Sequence, residues 1–501
     1  MRSKKALINV ISSIILQMLS IVSGLIIPRL IIETYGSGIN GLVTSITRFL
    51  GFITLLEAGF GPVIKASLYK SIATKDVNTI AKILKSSEKI FRVISYLFIT
   101  YIFVLCVSLP FVVNCDFSGW FTVSLIVIIS ISIFTEYYFG MTYKLFLQAE
   151  QRAYVIYIIQ ICTLMLNTFI VVILIKSGTS IQVVKLVGSL IFVVRPILQN
   201  LYFKKKYDIN LKEVDGNFKI KQKWDALAQH IAYVIHSNAD IAILTIYGNL
   251  AEVSVYSVYS MIIESVKNIV KSSVRGIEAA FGDMIAKGEK ENLNRSFKIY
   301  EGFYFTVVTI VFTATLFLII PFVSIYTKGI KDANYIRPTF AILMVIAELF
   351  NLIRQPYNDL VKVSGHFKET QIGAWFEAIS NIVISFVSVW KFGIVGVAIG
   401  TIFAMFVRTI EFVCYTSKHI LERSLWYSFK RLGAIVIEVI IVFLIISSIP
   451  RPEIYSYVIW IKDGIIITGI STIVVCIINC FVYRESLKYF MMHLKRIRGE
   501  S

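Results

Sequence analysis

Long continuous apolar runs, each broken by a short polar connector, recur along nearly the whole chain. Six lie near Ala6–Ile27, Ile39–Phe60, Ile90–Val113, Trp120–Met141, Tyr154–Ile175 and Ile181–Leu201. Six more lie near Phe303–Tyr326, Phe340–Gln355, Ile372–Trp390, Ile394–Tyr415, Leu432–Ile449 and Tyr457–Val482. A membrane-crossing helix needs roughly 20 mainly apolar residues, and these runs are of that order. Continuous runs speak for helices, whereas a membrane barrel shows short alternating strands.

Two further segments, near Asp225–Tyr247 and Glu252–Gly282, have a helical period but are more polar. In the second, Glu264, Lys267, Lys271, Arg275 and Glu278 fall at three- and four-residue spacing on one narrow arc. Ser257 and Ser260 extend this stripe upward and Gly282 extends it downward. The bland reading is an amphipathic hairpin on the membrane surface. Against it, the apolar arc covers well over half the circumference, which a surface helix would leave partly exposed. The preceding segment also carries a matching face of Asp225, Gln229, His236 and Asp240. Two helices with narrow polar faces and wide apolar backs suit a wet cavity inside a bundle. The pattern therefore predicts an all-α integral membrane protein with about 14 transmembrane helices.

Composition agrees: 56% of residues are hydrophobic and 16% charged, against about 45–50% and about 25% in soluble domains. The net charge of +19 is spread over alternate connectors. Arg2, Lys4 and Lys5 precede the first run; Lys65 to Lys89 follow the second; Lys144 and Arg152 follow the fourth. Lys204 to Lys223 follow the sixth, Lys418 to Arg431 precede the last pair, and Arg484 to Arg498 follow it. This is the positive-inside pattern with both termini cytoplasmic, and it argues against nucleic acid as a partner. The first run is too long for a signal-peptide core and lacks a cleavage site, so it reads as an uncleaved span. All cysteines but Cys115 lie in apolar runs, with no disulfide framework or metal-ligand spacing.

A weak internal repeat organises the chain. Asn167 to Arg195 and Asn381 to Arg408 each bridge two spans at nearly equal distance. It predicts two pseudo-symmetric six-helix lobes, residues 1–203 and 225–417, joined by a basic cytoplasmic connector at 204–224. Two extra helices (418–483) and a basic cytoplasmic tail (484–501) complete the chain. Repeats of this kind place substrate at the interface between lobes.

Polar residues inside the spans are the candidate chemistry. The first span aligns Asn9, Ser13, Gln17, Ser20 and Gly24; the second holds Arg48 near its middle and Glu57 on the opposite side. The tenth aligns Glu348, Asn351, Gln355, Asp359 and Lys362, with Arg354 off that face. In the twelfth, Arg408 and Glu411 are three apart, suited to pair. Intramembrane Asn and Gln often only bridge helices, and terminal Arg or Lys can snorkel. Arg48, Lys267, Lys271, Arg275, Arg354 and Arg408, with Asn9 and Gln17, form the expected binding set. Arg and Lys suit a phosphate or diphosphate head group. Glu57, Asp240, Glu264 and Glu348 are candidate proton or sodium sites, and they keep open a drug-cation exporter, which favours carboxylates and aromatics. His230 and His236 suit either packing or proton relay.

No P-loop is present, so ATP is not the direct energy source. No H-E-x-x-H or Ser/His/Asp signature stands out. The external connectors, such as Thr327–Arg337 and Pro450–Ser456, are short, which disfavours a membrane enzyme of lipid-linked glycan assembly. No cofactor is expected beyond an H+ or Na+ gradient.

Two stretches carry a family resemblance. ETYGSGINGLVTSITRFLGFITLLEAGFGPVIKASLYKSIATKD (Glu33–Asp76) resembles the second-span region of bacterial polysaccharide flippases, and so does the fast-return turn KFGIVGVAIGTIFAMFVRTIEF (Lys391–Phe412). With its basic connector, the chain resembles the multidrug/oligosaccharidyl-lipid/polysaccharide (MOP) exporter superfamily throughout, and within it the O-antigen and capsule repeat-unit flippases. The resemblance implies two six-helix lobes around a V-shaped cavity and alternating access driven by an ion gradient. The implied substrate is an undecaprenyl-diphosphate-linked oligosaccharide, carried to the outer leaflet of the bacterial cytoplasmic membrane. Membrane lipid, a polysaccharide polymerase and chain-length machinery are the implied partners. The resemblance also supports a substrate role for Arg48 and the stripe from Glu264 to Glu278.

Overall fold

The computed structural model describes residues 2–57, 59–113, 117–211, 214, 218, 224–272, 274, 277–452 and 456–482, and every regular element among them is helical. The first elements are α1 (Arg2–Tyr35), α2 (Ser37–Gly51), α3 (Thr54–Glu57), α4 (Gly61–Thr74), α5 (Val77–Val112) and α6 (Gly119–Thr135). A π-turn at Glu136–Gly140 leads into α7 (Met141–Ala149), α8 (Ala153–Lys176) and α9 (Ile181–Lys206). Then follow α10 (Trp224–Tyr247), α11 (Leu250–Ser272), α12 (Ile277–Ala286), α13 (Lys290–Tyr326), α14 (Pro338–Ile353) and α15 (Gln355–Ser364). The chain closes with α16 (Gln371–Phe392), α17 (Ile394–His419), α18 (Leu425–Ser447) and α19 (Tyr457–Val482). Arg275, Cys115, Lys212, Lys219, Lys221, Lys223, the side chain of Asp225 and the basic tail 484–501 lie outside the described residues.

Among the described residues, 11 helical segments are long and apolar enough to cross a membrane. Helices α10, α11 and α18 have 24, 23 and 23 residues, enough to cross at about 1.5 Å per residue, but fall outside that set. For α18 the reason is local. The helix starts at Leu425 rather than at the apolar run near Leu432, and so takes in Lys430 and Arg431.

The chain forms two compact units, Met1–Ser257 with Ile330–Ala333, and Val258–Gly329 with Asn334–Ser501. In the first, α8 packs on α1 and α9, and α6 on α5 and α9. Leu42, Ile46, Leu50, Phe91, Phe98, Leu125, Phe146 and Phe203 belong to its core. Asp76 starts α5 by accepting the Thr79 amide at 3.0 Å and the Thr79 hydroxyl at 2.5 Å. These bonds hold its carboxyl below the usual aspartate range. The helix therefore begins well before its apolar run, so Lys82, Lys85 and Lys89 are helical residues rather than an irregular connector.

In the second unit α17 packs on α14 and α16, and α13 on α14 and α19. Gly393 turns α16 into α17 at φ +55°, where a side chain would be strained. Beyond it, Gly396 and Gly400 bring the two helices to backbone contact. A Cβ on Gly400 would lie 2.8 Å from the Ser385 amide nitrogen and 2.9 Å from the Asn381 carbonyl, the small-xxx-small device of membrane helix pairs. In the first unit Gly188 of α9 makes room for the Asn167 side-chain oxygen of α8, 2.9 Å from where a Cβ would sit.

One buried ion group ties α18 into the second unit. Glu301 of α13 is fully buried and takes Arg423 in a bidentate pair (2.6 and 3.1 Å), together with Arg431 and the Tyr357 hydroxyl. Burial alone would weaken the Arg423 charge, but the Glu301 carboxylate overrides it and raises the guanidinium's pKa.

Candidate functional site

In the second unit the stripe on α11 meets a polar face of α14. Lys267 Nζ lies 3.0 Å from Glu348 Oε1, and Asn351 Nδ2 donates to Glu348 Oε2 at 2.7 Å. The structure thus joins a predicted binding cation to a predicted ion-coupling carboxylate. Lys271, one turn further on, is half-buried and lies within electrostatic reach of Lys267, Glu348, Arg354 and Lys362. Among the described residues it makes no hydrogen bond or ion pair. Glu348 thus answers Lys267, and Lys271 has no ion-pair partner among the described residues. Glu264 is half-buried on the same helix.

Arg354 and Arg408 sit differently. Arg354 donates to Glu377 Oε1 at 2.6 Å, and Arg408 lies 3.5 Å from Glu377 Oε2. Arg408 also donates to Glu411 Oε2 at 2.6 Å and to the Thr370 carbonyl at 2.9 Å, with its guanidinium 4.1 Å from the Phe412 ring centroid. Arg354, Glu377 and Arg408 are all under 10% exposed. The i, i+3 pair of Arg408 and Glu411 forms as its spacing suggests. Gly373 makes room for that carboxylate, since a Cβ there would clash with it. Sequence reading passed over Glu377, although a single acid inside the apolar run near Ile372–Trp390 is itself a signal.

Two cavities of the first unit are lined by both charged and polar residues. One, of about 470 Å³, is lined by Glu57, Lys65, Lys144, Gln148, His230 and Asn238 among others. Tyr137 donates to Glu57 Oε2 at 2.7 Å, and Lys144 bonds Glu136 at 3.0 Å on the π-turn. A π-turn inside a helix often marks a functional position. The other cavity, of about 430 Å³, is lined by small polar residues including Ser20, Thr47, Asn167 and Ser189, with Lys185 as its one charged residue. Sequence position alone does not single out Lys185, which lies near the start of α9, where a basic residue can snorkel.

The remaining candidates are dispersed. Arg48 is half-buried in the last turn of α2, and Gln17 is half-buried on α1. Asn9 accepts the Tyr154 amide at 2.7 Å and donates to the Gln151 carbonyl at 3.1 Å, which satisfies the start of α8. Asp240 is buried and accepts from Tyr256 at 2.8 Å. Among the described residues no group of His, Cys, Asp and Glu could hold a metal ion.

No family model matches this chain, and no curated protein does. Solved structures do. The lipid II flippase MurJ, in an inward closed conformation, is 14% identical over 95% of this chain and 99% of its own, with a TM-score of 0.67. An inward-facing multidrug resistance MATE family transporter of the MOP superfamily is 14% identical over 82% of this chain and 98% of its own, with a TM-score of 0.62. A MOP superfamily transporter from Pyrococcus furiosus Vc1, described as having a binding pocket of reversed polarity, is 13% identical over 84% of this chain and 97% of its own, with a TM-score of 0.55. The chain therefore has the helical membrane fold of the MOP superfamily transporters.

Proposed function

We propose that this protein is a flippase of the bacterial cytoplasmic membrane that moves an undecaprenyl-diphosphate-linked oligosaccharide repeat unit by alternating access. Its product would feed O-antigen, capsule or exopolysaccharide assembly. The observation that carries the reading is extent. The lipid II flippase shares the fold over 95% of this chain, against 82% for the MATE transporter. The cations add chemical support. Lys271 and Lys185, each set among neutral or already paired groups, suit the phosphates of a lipid-linked head group as point charges. Arg48 belongs to the same proposal. Arg354 and Arg408 serve it indirectly, by holding α14, α16 and α17 in place. An H+ or Na+ gradient would supply the energy, with Glu57, Asp240, Glu264 and Glu348 as candidate coupling groups. A polysaccharide polymerase and its chain-length machinery would receive the product.

Reconstitution tests this. Proteoliposomes loaded with an undecaprenyl-diphosphate-linked glycan should expose it on the opposite leaflet only when the protein is present. Lys271→Ala and Arg48→Ala should abolish that exposure while leaving the protein inserted and folded. Normal flipping by both variants would sink the cationic mechanism. The second reading, an ion-coupled exporter of lipophilic cations, draws on the MATE likeness and on the Glu57 cavity. Transport of a lipophilic cation dye, without flipping of the glycan lipid, would favour it instead.

A further inference from the structure

Glu438 sits in the middle of α18, and only 1% of its surface is exposed. An ionisable group at such a depth is expensive and marks a functional site by default. Nothing in the proposed transport path uses it. Its carboxyl lies beside Thr309 of α13 and Cys476 of α19. Helix α13 turns Thr306, Thr309 and Thr313 to one face, and α19 does the same with Ser471, Val475 and Asn479. Asn479 Nδ2 donates to Thr306 Oγ1 at 2.9 Å, which sets the level at which the two helices meet.

Five buried oxygens in this helix trio have no hydrogen-bond partner: Glu438 Oε1, Thr309 Oγ1, Thr313 Oγ1, Ser471 Oγ and Asn479 Oδ1. Buried polar atoms are normally satisfied, so each exception calls for an explanation. Ser471 and Asn479 lie eight residues apart on α19, about 12 Å at 1.5 Å per residue, so of these oxygens the Thr309 hydroxyl is the one set against the Glu438 carboxyl. Among the described residues no Lys, Arg or His forms an ion pair with Glu438, unlike Glu301 or Glu377 in the same unit. Ala314, Val442, Ile446 and Ile467 form an apolar cluster in the same trio. The carboxyl thus stands in apolar surroundings beside the Thr309 hydroxyl, with no ion-pair partner among the described residues.

We propose that Glu438, with the Thr309 hydroxyl beside it, forms an intramembrane binding site for a monovalent cation, H+ or Na+. One carboxylate balances one positive charge, and hydroxyl and amide oxygens are the ligands a hard cation prefers. When a proton occupies the site, the carboxylic O–H donates to a neighbouring oxygen. When Na+ occupies it, the same lone pairs turn to the ion. The titratable neighbours are few. Helix α19 brings Cys476 and Cys480, with Lys462 and Asp463 near its other end; α13 brings none between Tyr304 and Tyr326; α18 has no other beyond Arg431. Helix α17 meets the first turn of α18 through Ser417 and Ser428, at 2.9 Å. The site is distinct from Glu57, Asp240 and Glu348, each of which has a hydroxyl or ammonium partner.

The test reads binding on the intact protein and does not depend on any transport substrate. Purified full-length protein is treated with dicyclohexylcarbodiimide, which modifies protonated carboxyls in apolar surroundings, and the adduct on Glu438 is quantified by peptide mass spectrometry. Labelling should fall about tenfold per pH unit once the carboxyl ionises. Na+, but not choline, should protect Glu438 by about tenfold at roughly ten times its Kd. Protection by Na+ identifies a Na+ site, which Thr309→Ala should weaken. Dependence on pH alone identifies a proton site. The proposal is overturned if Glu438 takes up no label, or if its labelling ignores both pH and Na+. These measurements use the unaltered protein, so they hold even if Glu438→Gln, the control for adduct assignment, folds poorly.

Discussion

Substituting Glu377 by Gln should destabilise the second unit more than any other single polar change on α16. The carboxylate serves two guanidinium groups, Arg354 at 2.6 Å and Arg408 at 3.5 Å, and all three residues are under 10% exposed. The loss is not shared equally. Arg408 keeps Glu411 at 2.6 Å and the Thr370 carbonyl at 2.9 Å, whereas Arg354 loses the carboxylate that answers its charge. Stranding a buried charge costs about 3–5 kcal/mol. For a unit of this size that lowers the melting temperature by roughly 6–20 °C. Removing the stranded charge as well, in Arg354→Met with Glu377→Gln, should recover about 0.5–3 kcal/mol of the loss. Thermal unfolding of detergent-purified protein, followed by tryptophan fluorescence, measures both variants. If Glu377→Gln melts within about 2 °C of the parent, or the double variant is no better than the single, the charges are not coupled as described. In that case Arg354 and Arg408 return to the transport mechanism as binding residues.

Other substitutions have outcomes set by their contacts. Lys271→Ala should leave the melting temperature near the parent value, because among the described residues the side chain makes no hydrogen bond or ion pair to lose; the same fluorescence melt checks it. Gly400→Val should cost about 1–3 kcal/mol by forcing α16 and α17 apart, whereas Gly433→Ala should be tolerated because its Cβ meets nothing within 4 Å. Asp76 should titrate below about 3.9 in NMR of labelled aspartate, and Thr79→Ala should return it towards that value. Its support for α5 is complete above the ordinary aspartate value and fades as pH falls through the lowered one.

Much of the architecture is written in local composition. Runs of apolar residues of bilayer length became largely helical, because a chain in lipid must satisfy its backbone internally, though the run near Ile39–Phe60 is broken after Gly51. The pairing of Arg408 with Glu411 was legible too, since residues three apart on a helix are neighbours. Only the upper part of the expected stripe lies on α11, where Lys267 and Lys271 are one turn apart; α11 ends at Ser272, so Glu278 and Gly282 belong to α12 instead of continuing one helix to Gly282. The stripe's matching partner on α10 was only half right as a polar surface, because Asp240 turns to Tyr256 and is buried.

What the linear order of residues determined, then, is the set of helices, their amphipathic faces and the excess of cations over acids. It could not say which cations are already answered. Glu301 meets Arg423 and Arg431, and Glu377 meets Arg354, across separations of 122, 130 and 23 residues. Periodicity has no purchase at those distances. Only packing decides whether a charge inside a membrane protein is neutralised by a distant helix or left available. That choice divides the predicted set: Arg354 and Arg408 are held in a buried network, Lys267 is paired, and Lys271 has no ion pair among the described residues. It also brings forward Lys185 and Glu438, whose surroundings exist only once their helices have met.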